Sequence, residues 1–215
     1  MRAGLVGGFV LLGAALLWAD SPATPSPPAA APMIVSVRAD GDGPDAHATG
    51  FAVRDGKVVT VAHVLDGAGA ITVRSPGGPA RRARVVRRDR RADLAVLAVP
   101  GAGGRRIRVA TPPAGSAMWM LVVRDGQPAW RRAEVRRAIV AHVRAPRAER
   151  ALARPALELD ARPRAGDSGA PVVTASGGLA GVLFARSRMR DSTAYAVDAT
   201  TLKRLLHRRG SPPSG

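Results

Sequence analysis

From Met33 onward the chain is a succession of short β-type runs separated by turn residues. That pattern limits its folds more than any other feature. The runs are Ile34–Val37, Phe51–Val53, Lys57–Val61, Ile71–Val73, Ala83–Val86, Leu94–Val99, Met118–Val123, Glu134–Val143, Ala156–Leu159, Val172–Thr174, Leu179–Ala185 and Ala194–Val197. β-Branched and apolar residues dominate them, and Asp55-Gly56 between the second and third is a hairpin signal. Many short strands at close spacing predict an all-β barrel or sandwich. Pro112-Pro113 falls mid-chain and predicts a junction between two halves, at about 33–112 and 113–198. One helix is predicted, over 199–209. Asp198 is its N-cap, Leu202, Leu205 and Leu206 form an apolar stripe, and cationic residues fill its last turn. Gly210 stops it and leaves a tail over 210–215.

A core of this size needs no covalent staple, and the chain has no cysteine, which excludes disulfides and thiolate chemistry. The net charge of +17 is almost all arginine, Lys57 and Lys203 being the only lysines. No nucleic-acid recognition motif accompanies the charge, and the few aromatics are too scattered to stack bases. Specific nucleic-acid binding is therefore not expected: the charge reads first as compositional, in a chain dominated by Ala, Arg, Gly and Pro, with electrostatic contact with an anionic envelope surface as the alternative. The N-terminus pairs a basic start, Arg2, with an uncharged apolar stretch from Gly4 to Ala19. This is short for a membrane span and suits a signal peptide over residues 1–19, with retention as a single anchor the alternative. A Pro/Ala-rich linker over 20–32 follows. The expected location is extracytoplasmic, secreted or in the cell envelope.

Gly166-Asp167-Ser168-Gly169-Ala170-Pro171 sets a serine between two glycines, where backbone N–H groups can approach a developing anion. Among the four histidines, only His63 combines small neighbours with a strand end, after Lys57–Val61. Asp93 opens a buried-looking strand and is the candidate orienting acid. Asp89 is its rival, flanked by arginines and expected in solvent. The order His63, Asp93, Ser168, with gaps of 30 and 75 residues, is one of the known triad orders.

These residues carry a resemblance to trypsin-like serine peptidases of the chymotrypsin fold, spanning about Ile34 to Leu206. Thr60-Val61-Ala62-His63 resembles the family's Thr-Ala-Ala-His. Asp93-Leu94-Ala95-Val96-Leu97 is similar to its acidic strand, and Gly166–Pro171 to Gly-Asp-Ser-Gly-Gly-Pro. Thr49-Gly50-Phe51, and Asp160 eight residues before Ser168, resemble bacterial HtrA-like proteases. Gly181–Ala185 and Thr193–Val197 are similar to the end of membrane-anchored acid-stress proteases. The resemblance implies two perpendicular six-stranded antiparallel β-barrels with a C-terminal helix. It implies a serine endopeptidase with His63, Asp93 and Ser168 as triad, Gly166 and Ser168 N–H groups as oxyanion hole, a polypeptide substrate, and no metal or cofactor. It further implies substrate pairing with Phe184–Arg186 and a first pocket framed by Arg162, Ala185, Arg186 and Thr193. Arg162 argues against cleavage after Lys or Arg and for a small, aliphatic or acidic residue there. Ala170 and Val61 depart from the family pattern. Ile34 fits a first strand, so no activation cleavage is expected before it. The alternative reading is a protease-fold binding or sensing protein with little turnover. A role in envelope protein quality control or processing is the expected biological setting.

Overall fold

The computed structural model describes residues 26–41, 45–143 and 151–207. The predicted signal or anchor, the first six residues of the linker, Gly210 and the tail lie outside the described residues. Within them, no helix is long and apolar enough to cross a membrane.

The chain is all-β with one closing helix. The first half contains β1 (Met33–Gly41), β2 (Ala46–Val53), β3 (Lys57–Val61), β4 (Ala68–Arg74), β5 (Ala80–Arg82), β6 (Arg84–Asp89) and β7 (Leu94–Ala98). They form one antiparallel sheet in the order β5-β4-β1-β2-β3-β7-β6. The second half contains β8 (Ala117–Arg124), β9 (Gln127–Val143), β10 (Leu152–Asp160), β11 (Pro171–Thr174), β12 (Leu179–Arg186) and β13 (Thr193–Asp198). These close into a barrel, β10-β13-β12-β11-β8-β9. The architecture is the expected one, with a seventh, three-residue strand (β5) added to the first half.

Turn chemistry sets the register. Asp55 and Gly56 have φ of 63° and 62°, and the β2–β3 hairpin closes on Val53 and Lys57. Asp125 and Gly126, with φ of 49° and 76°, make a two-residue turn of type I′ sign between β8 and β9. This hairpin starts β9 seven residues before the predicted strand at Glu134.

Period-2 alternation sends the second barrel's side chains to two different cores. Met118, Met120 and Val122 of β8, Val172 of β11, Leu183 of β12, and Ala194 and Ala196 of β13 fill the barrel interior. Their neighbours Trp119, Val173, Val182, Phe184 and Val197 point outward and join a second cluster with Phe51, Val59, Val61 and Leu94 of the first half. The contact between the halves is thus itself core.

The helix α1 (Ala199–His207) lies against β12 and β13. Asp198 Oδ1 accepts the Thr200 N–H at 2.6 Å, the predicted N-cap. Leu202 and Leu205 are buried in the cluster shared by the halves, and Leu206 packs at its edge. Arg87 of β6 donates to the Leu206 carbonyl at 2.8 Å, so the first half also caps the helix's C-terminal end.

Candidate active site

Val61 ends β3, and the chain tightens at once into a short 3₁₀ turn, His63–Leu65. Asp93 stands just before β7, the strand that pairs with β3 through Val61 and Leu94. The pairing therefore brings the two residues together from adjacent strand ends. Asp93 adopts φ of 59°, a left-handed conformation in which aspartate is enriched. The turn aims its carboxylate back at the histidine. Ala62 N–H donates to the Asp93 carbonyl at 3.2 Å, and His63 N–H to Asp93 Oδ1 at 2.9 Å. The imidazole Nδ1 lies 2.8 Å from Asp93 Oδ2. The Asp93 side chain is 10% exposed and that of His63 47%, so the acid is enclosed while the ring reaches solvent. Arg88 supports the turn from outside, donating to the Ala62 carbonyl at 2.7 Å and to Asp66 Oδ1 at 2.6 Å.

The rival carboxylate has another task. Asp89 Oδ1 accepts the Ala92 N–H at 2.8 Å and shapes the tight connection from β6 to Asp93. It is half-buried rather than free in solvent, because the turn it closes packs on the barrel. The other histidines lie elsewhere: exposed His47 on β2, exposed His142 on β9 and His207 on the helix.

Ser168 reaches the same region from the second half. Thr49 N–H donates to the Ser168 carbonyl at 2.8 Å, and Thr49 Oγ1 to the Gly166 carbonyl at 3.0 Å. Thr60 Oγ1 in turn donates to the Thr49 carbonyl at 2.9 Å, three residues before His63. Two fully buried threonines thus fasten the serine turn onto β2 and β3. No hydrogen bond joins Ser168 Oγ to the His63 ring; such contacts are often loose without substrate.

The backbone before Ser168 makes a tight turn. Asp167 N–H donates to the Arg164 carbonyl at 3.1 Å, closing a four-residue turn whose third residue, Gly166, has φ of 88°. Positive φ at that place marks a type II turn, in which the central peptide is reversed relative to type I. Neither Gly166 nor Ser168 gives its N–H to an acceptor among the described residues, whereas Gly169 and Ala170 donate to the Leu183 and Asp167 carbonyls. Two free N–H groups flanking a serine are able to hold an oxyanion. Ala170, the departure from the family pattern, is fully buried, its methyl filling the second barrel's interior.

Gly169 is required for a different reason. Its φ is 88°, and a Cβ there would lie 2.0 Å from the Thr49 carbonyl oxygen and 2.7 Å from Thr60 Oγ1. Gly169→Ala should therefore cost at least about 2 kcal/mol, from backbone strain and overpacking together. A urea midpoint equal to wild type would contradict this close approach.

Asp167 is 1% exposed. Its Oδ2 accepts the Arg164 N–H at 2.7 Å and the Arg124 Nη2–H at 2.6 Å, while Oδ1 is buried without a partner. Burial pushes its carboxyl above the usual range, against the pull of the Arg164 N–H and of the Arg124 and Arg131 charges. Arg124, at the end of β8, is thus the cation paired with this buried carboxylate. Ile34, expected in a first strand, is buried in β1 and pairs with Phe51.

The expected substrate-contacting residues are spread along two strands and a loop. Phe184 is buried and packs tilted against Tyr195, with ring centroids 6.4 Å apart. Ala185 follows a bulge in the β12–β13 pairing and is half-buried, and Arg186 and Arg162 are exposed. Thr193, opposite Asp160 in the β10–β13 ladder, is buried with its hydroxyl unpartnered. Asp160 itself ends β10 and pairs with Arg136 at 3.2 Å. Among the described residues, no cluster of His, Cys, Asp and Glu is arranged to hold a metal ion.

Sequence reasoning missed two arginines. Arg124 meets Asp167. Arg154 of β10 lies under Asp93, Nη1 to Oδ2 3.2 Å, with its guanidinium 4.9 Å from the centre of the Phe184 ring. Arg154 shares the parity of Ala156, which β10 turns to the seam, but arginine is too frequent in this chain for one position to stand out.

A sheet and a barrel joined by an apolar interface, with serine, histidine and aspartate at their seam, define a class of hydrolases. The family model of the trypsin-like peptidase domain matches residues 48–182, and the chain belongs to that family. It is a serine-type endopeptidase acting on polypeptides. The Rv3671c protease from M. tuberculosis, active form, is similar at 26% identity over 86% of this chain and 84% of that one, with a TM-score of 0.78. The MamO protease domain from Magnetospirillum magneticum, apo form, is similar at 25% identity over 80% and 95% of the two chains, with a TM-score of 0.68. The serine endoprotease from Yersinia pestis, 21% identical over 83% of this chain and 63% of that one, shares the fold at a TM-score of 0.67. No curated protein matches by sequence.

Proposed function

We propose that the chain hydrolyses peptide bonds through an acyl-enzyme formed on Ser168. His63 takes the serine proton as the hydroxyl attacks the carbonyl and returns it to the leaving amine. Asp93 fixes the imidazole tautomer and stabilises the imidazolium. The Gly166 and Ser168 N–H groups hold the oxyanion, an interaction worth about 3–4 kcal/mol of barrier in such sites. The observation that carries this reading is the Asp93–His63 bond of 2.8 Å, set beside a glycine-flanked serine whose turn is fastened to the same strands.

The substrate chain pairs with Phe184–Arg186 in this reading, and Arg162, Ala185, Arg186 and Thr193 frame the first pocket. The apolar stretch over 4–19 supports export to the cell envelope, as a cleaved signal or a membrane tether. There the arginine-rich surface meets anionic polymers or lipid, and the enzyme serves protein quality control or processing.

A fluorophosphonate probe should label the wild-type protein one to one, and Ser168→Ala and His63→Ala should abolish the labelling. Labelling that persists in Ser168→Ala would assign the nucleophile elsewhere. A folded wild type that neither labels nor digests casein would leave a binding protein in place of the enzyme.

A further inference from the structure

Arg154 is 4% exposed, and in a chain with so many solvent-facing arginines its burial needs a reason. Its partners supply one. Arg154 belongs to β10 in the second half, whereas Asp93 belongs to the first, and the ion pair crosses the seam between them. On its other side the guanidinium meets the face of Phe184, at the head of the segment expected to bind substrate. Arg154 Nη1 lacks hydrogen-bond alignment with any acceptor and Nε has no partner, so its hold on Asp93 is Coulombic rather than a directed bond. The directed bonds of Asp93 go to His63 instead, Oδ1 to its N–H and Oδ2 to its ring.

We propose that Arg154 is a positioning residue for Asp93: its buried guanidinium draws the carboxylate toward the seam, so that both oxygens stay turned to His63. The physical need is plain. An enclosed carboxylate has few partners to fix its direction, and a misplaced one would orient the imidazole wrongly. Arginine stays charged in any such setting and is weakly hydrated, so it tolerates burial better than lysine. Near Asp93 the other charged groups are Arg88 and Arg90, which pair with Asp66, Arg91, whose Nε–H donates to the Ala153 carbonyl at 3.5 Å, and Asp89, which closes its own turn. Arg154 is the cation within ion-pair distance of the carboxylate.

This inference rests on the reading of His63, Asp93 and Ser168 as the catalytic groups. The experiment measures kcat and apparent KM on labelled casein for wild type, Arg154→Met, Arg154→Gln, Arg154→Lys, Asp93→Asn and the double variant Arg154→Met/Asp93→Asn. Arg154→Met and Arg154→Gln should each lower kcat by about 10²-fold, the scale of a small misplacement of a catalytic group, with KM changed less than twofold. Arg154→Lys should restore part of the loss. In the Asp93→Asn background the Met substitution should cost less than twofold, because the group it acts through is gone. A kcat within threefold of wild type in a folded neutral variant would overturn the proposal. Equal losses in the two backgrounds would do the same. Arg154→Gln serves if Arg154→Met does not fold. Wild type that escapes fluorophosphonate labelling defeats the catalytic reading; labelled wild type with indifferent Arg154 variants defeats only the role of Arg154.

Discussion

Asp93→Asn should lower turnover about 10⁴-fold while leaving a folded protein. Asparagine has the same size and is among the residues that accept the left-handed φ of 59° held by Asp93. Its carbonyl oxygen still accepts the His63 N–H, so the 3₁₀ turn keeps its anchor. The change falls on the ring contact, now 2.8 Å. An amide facing Nδ1 can donate where the carboxylate could only accept, which favours the tautomer that leaves the serine without a base. No charge remains to stabilise the imidazolium. Arg154 also loses its anion, so the urea midpoint should drop as well. Comparing casein turnover with the acylation rate by a fluorophosphonate separates chemistry from binding. A loss below tenfold in both would remove Asp93 from the orienting role.

Arg124→Met should destabilise the protein by about 3–5 kcal/mol at neutral pH, the usual result of stripping one partner from a buried ion pair. The Asp167 carboxylate would keep the Arg164 N–H at 2.7 Å and nothing else. The pH dependence follows from the raised titration of Asp167. Between its ordinary value and its raised one, the folded state binds the proton more tightly than the unfolded state. Stability contributed by this group is therefore present at low pH and lost as pH rises through that window. Removing Arg124 widens the window, so the deficit should be smallest in acid and grow toward neutral. Urea midpoints at pH 4.5 and 7.5 test this, and Arg124→Met/Asp167→Asn should recover much of the loss. A single variant as stable as wild type at pH 7.5 would show that the pair does not hold the turn.

The strand pattern, the final helix and the three residues proposed as the triad were legible because each has a local signature. Asp55-Gly56 announced one hairpin, and Asp198 with its leucine stripe announced the helix. Asp125-Gly126 carries the same hairpin signal and escaped notice because the arginines after it interrupt the apolar pattern of β9. Arg131, Arg132 and Arg137 are exposed and Arg136 half-buried on a strand where Ala133 and Val135 are buried. Arg124 and Arg154 were illegible for another reason. Their meaning lies in partners 43 and 61 residues away, and composition hides them among many similar cations. The seventh strand, β5, is three exposed residues whose pairing with β4 rests on backbone bonds rather than on any apolar signal.

The apolar seam formed by Phe51, Val59, Val61 and Leu94 on one side and Trp119, Val173, Val182 and Phe184 on the other has a consequence for motion. Hinged enzymes close over a cleft by sliding weakly attached lobes. Here the lobes share one greasy joint, and prising them apart would wet the same residues that unfolding wets. Adjustment to substrate is accordingly left to side chains, while His63, Asp93 and the fastened serine turn ride on a frame as rigid as the fold itself.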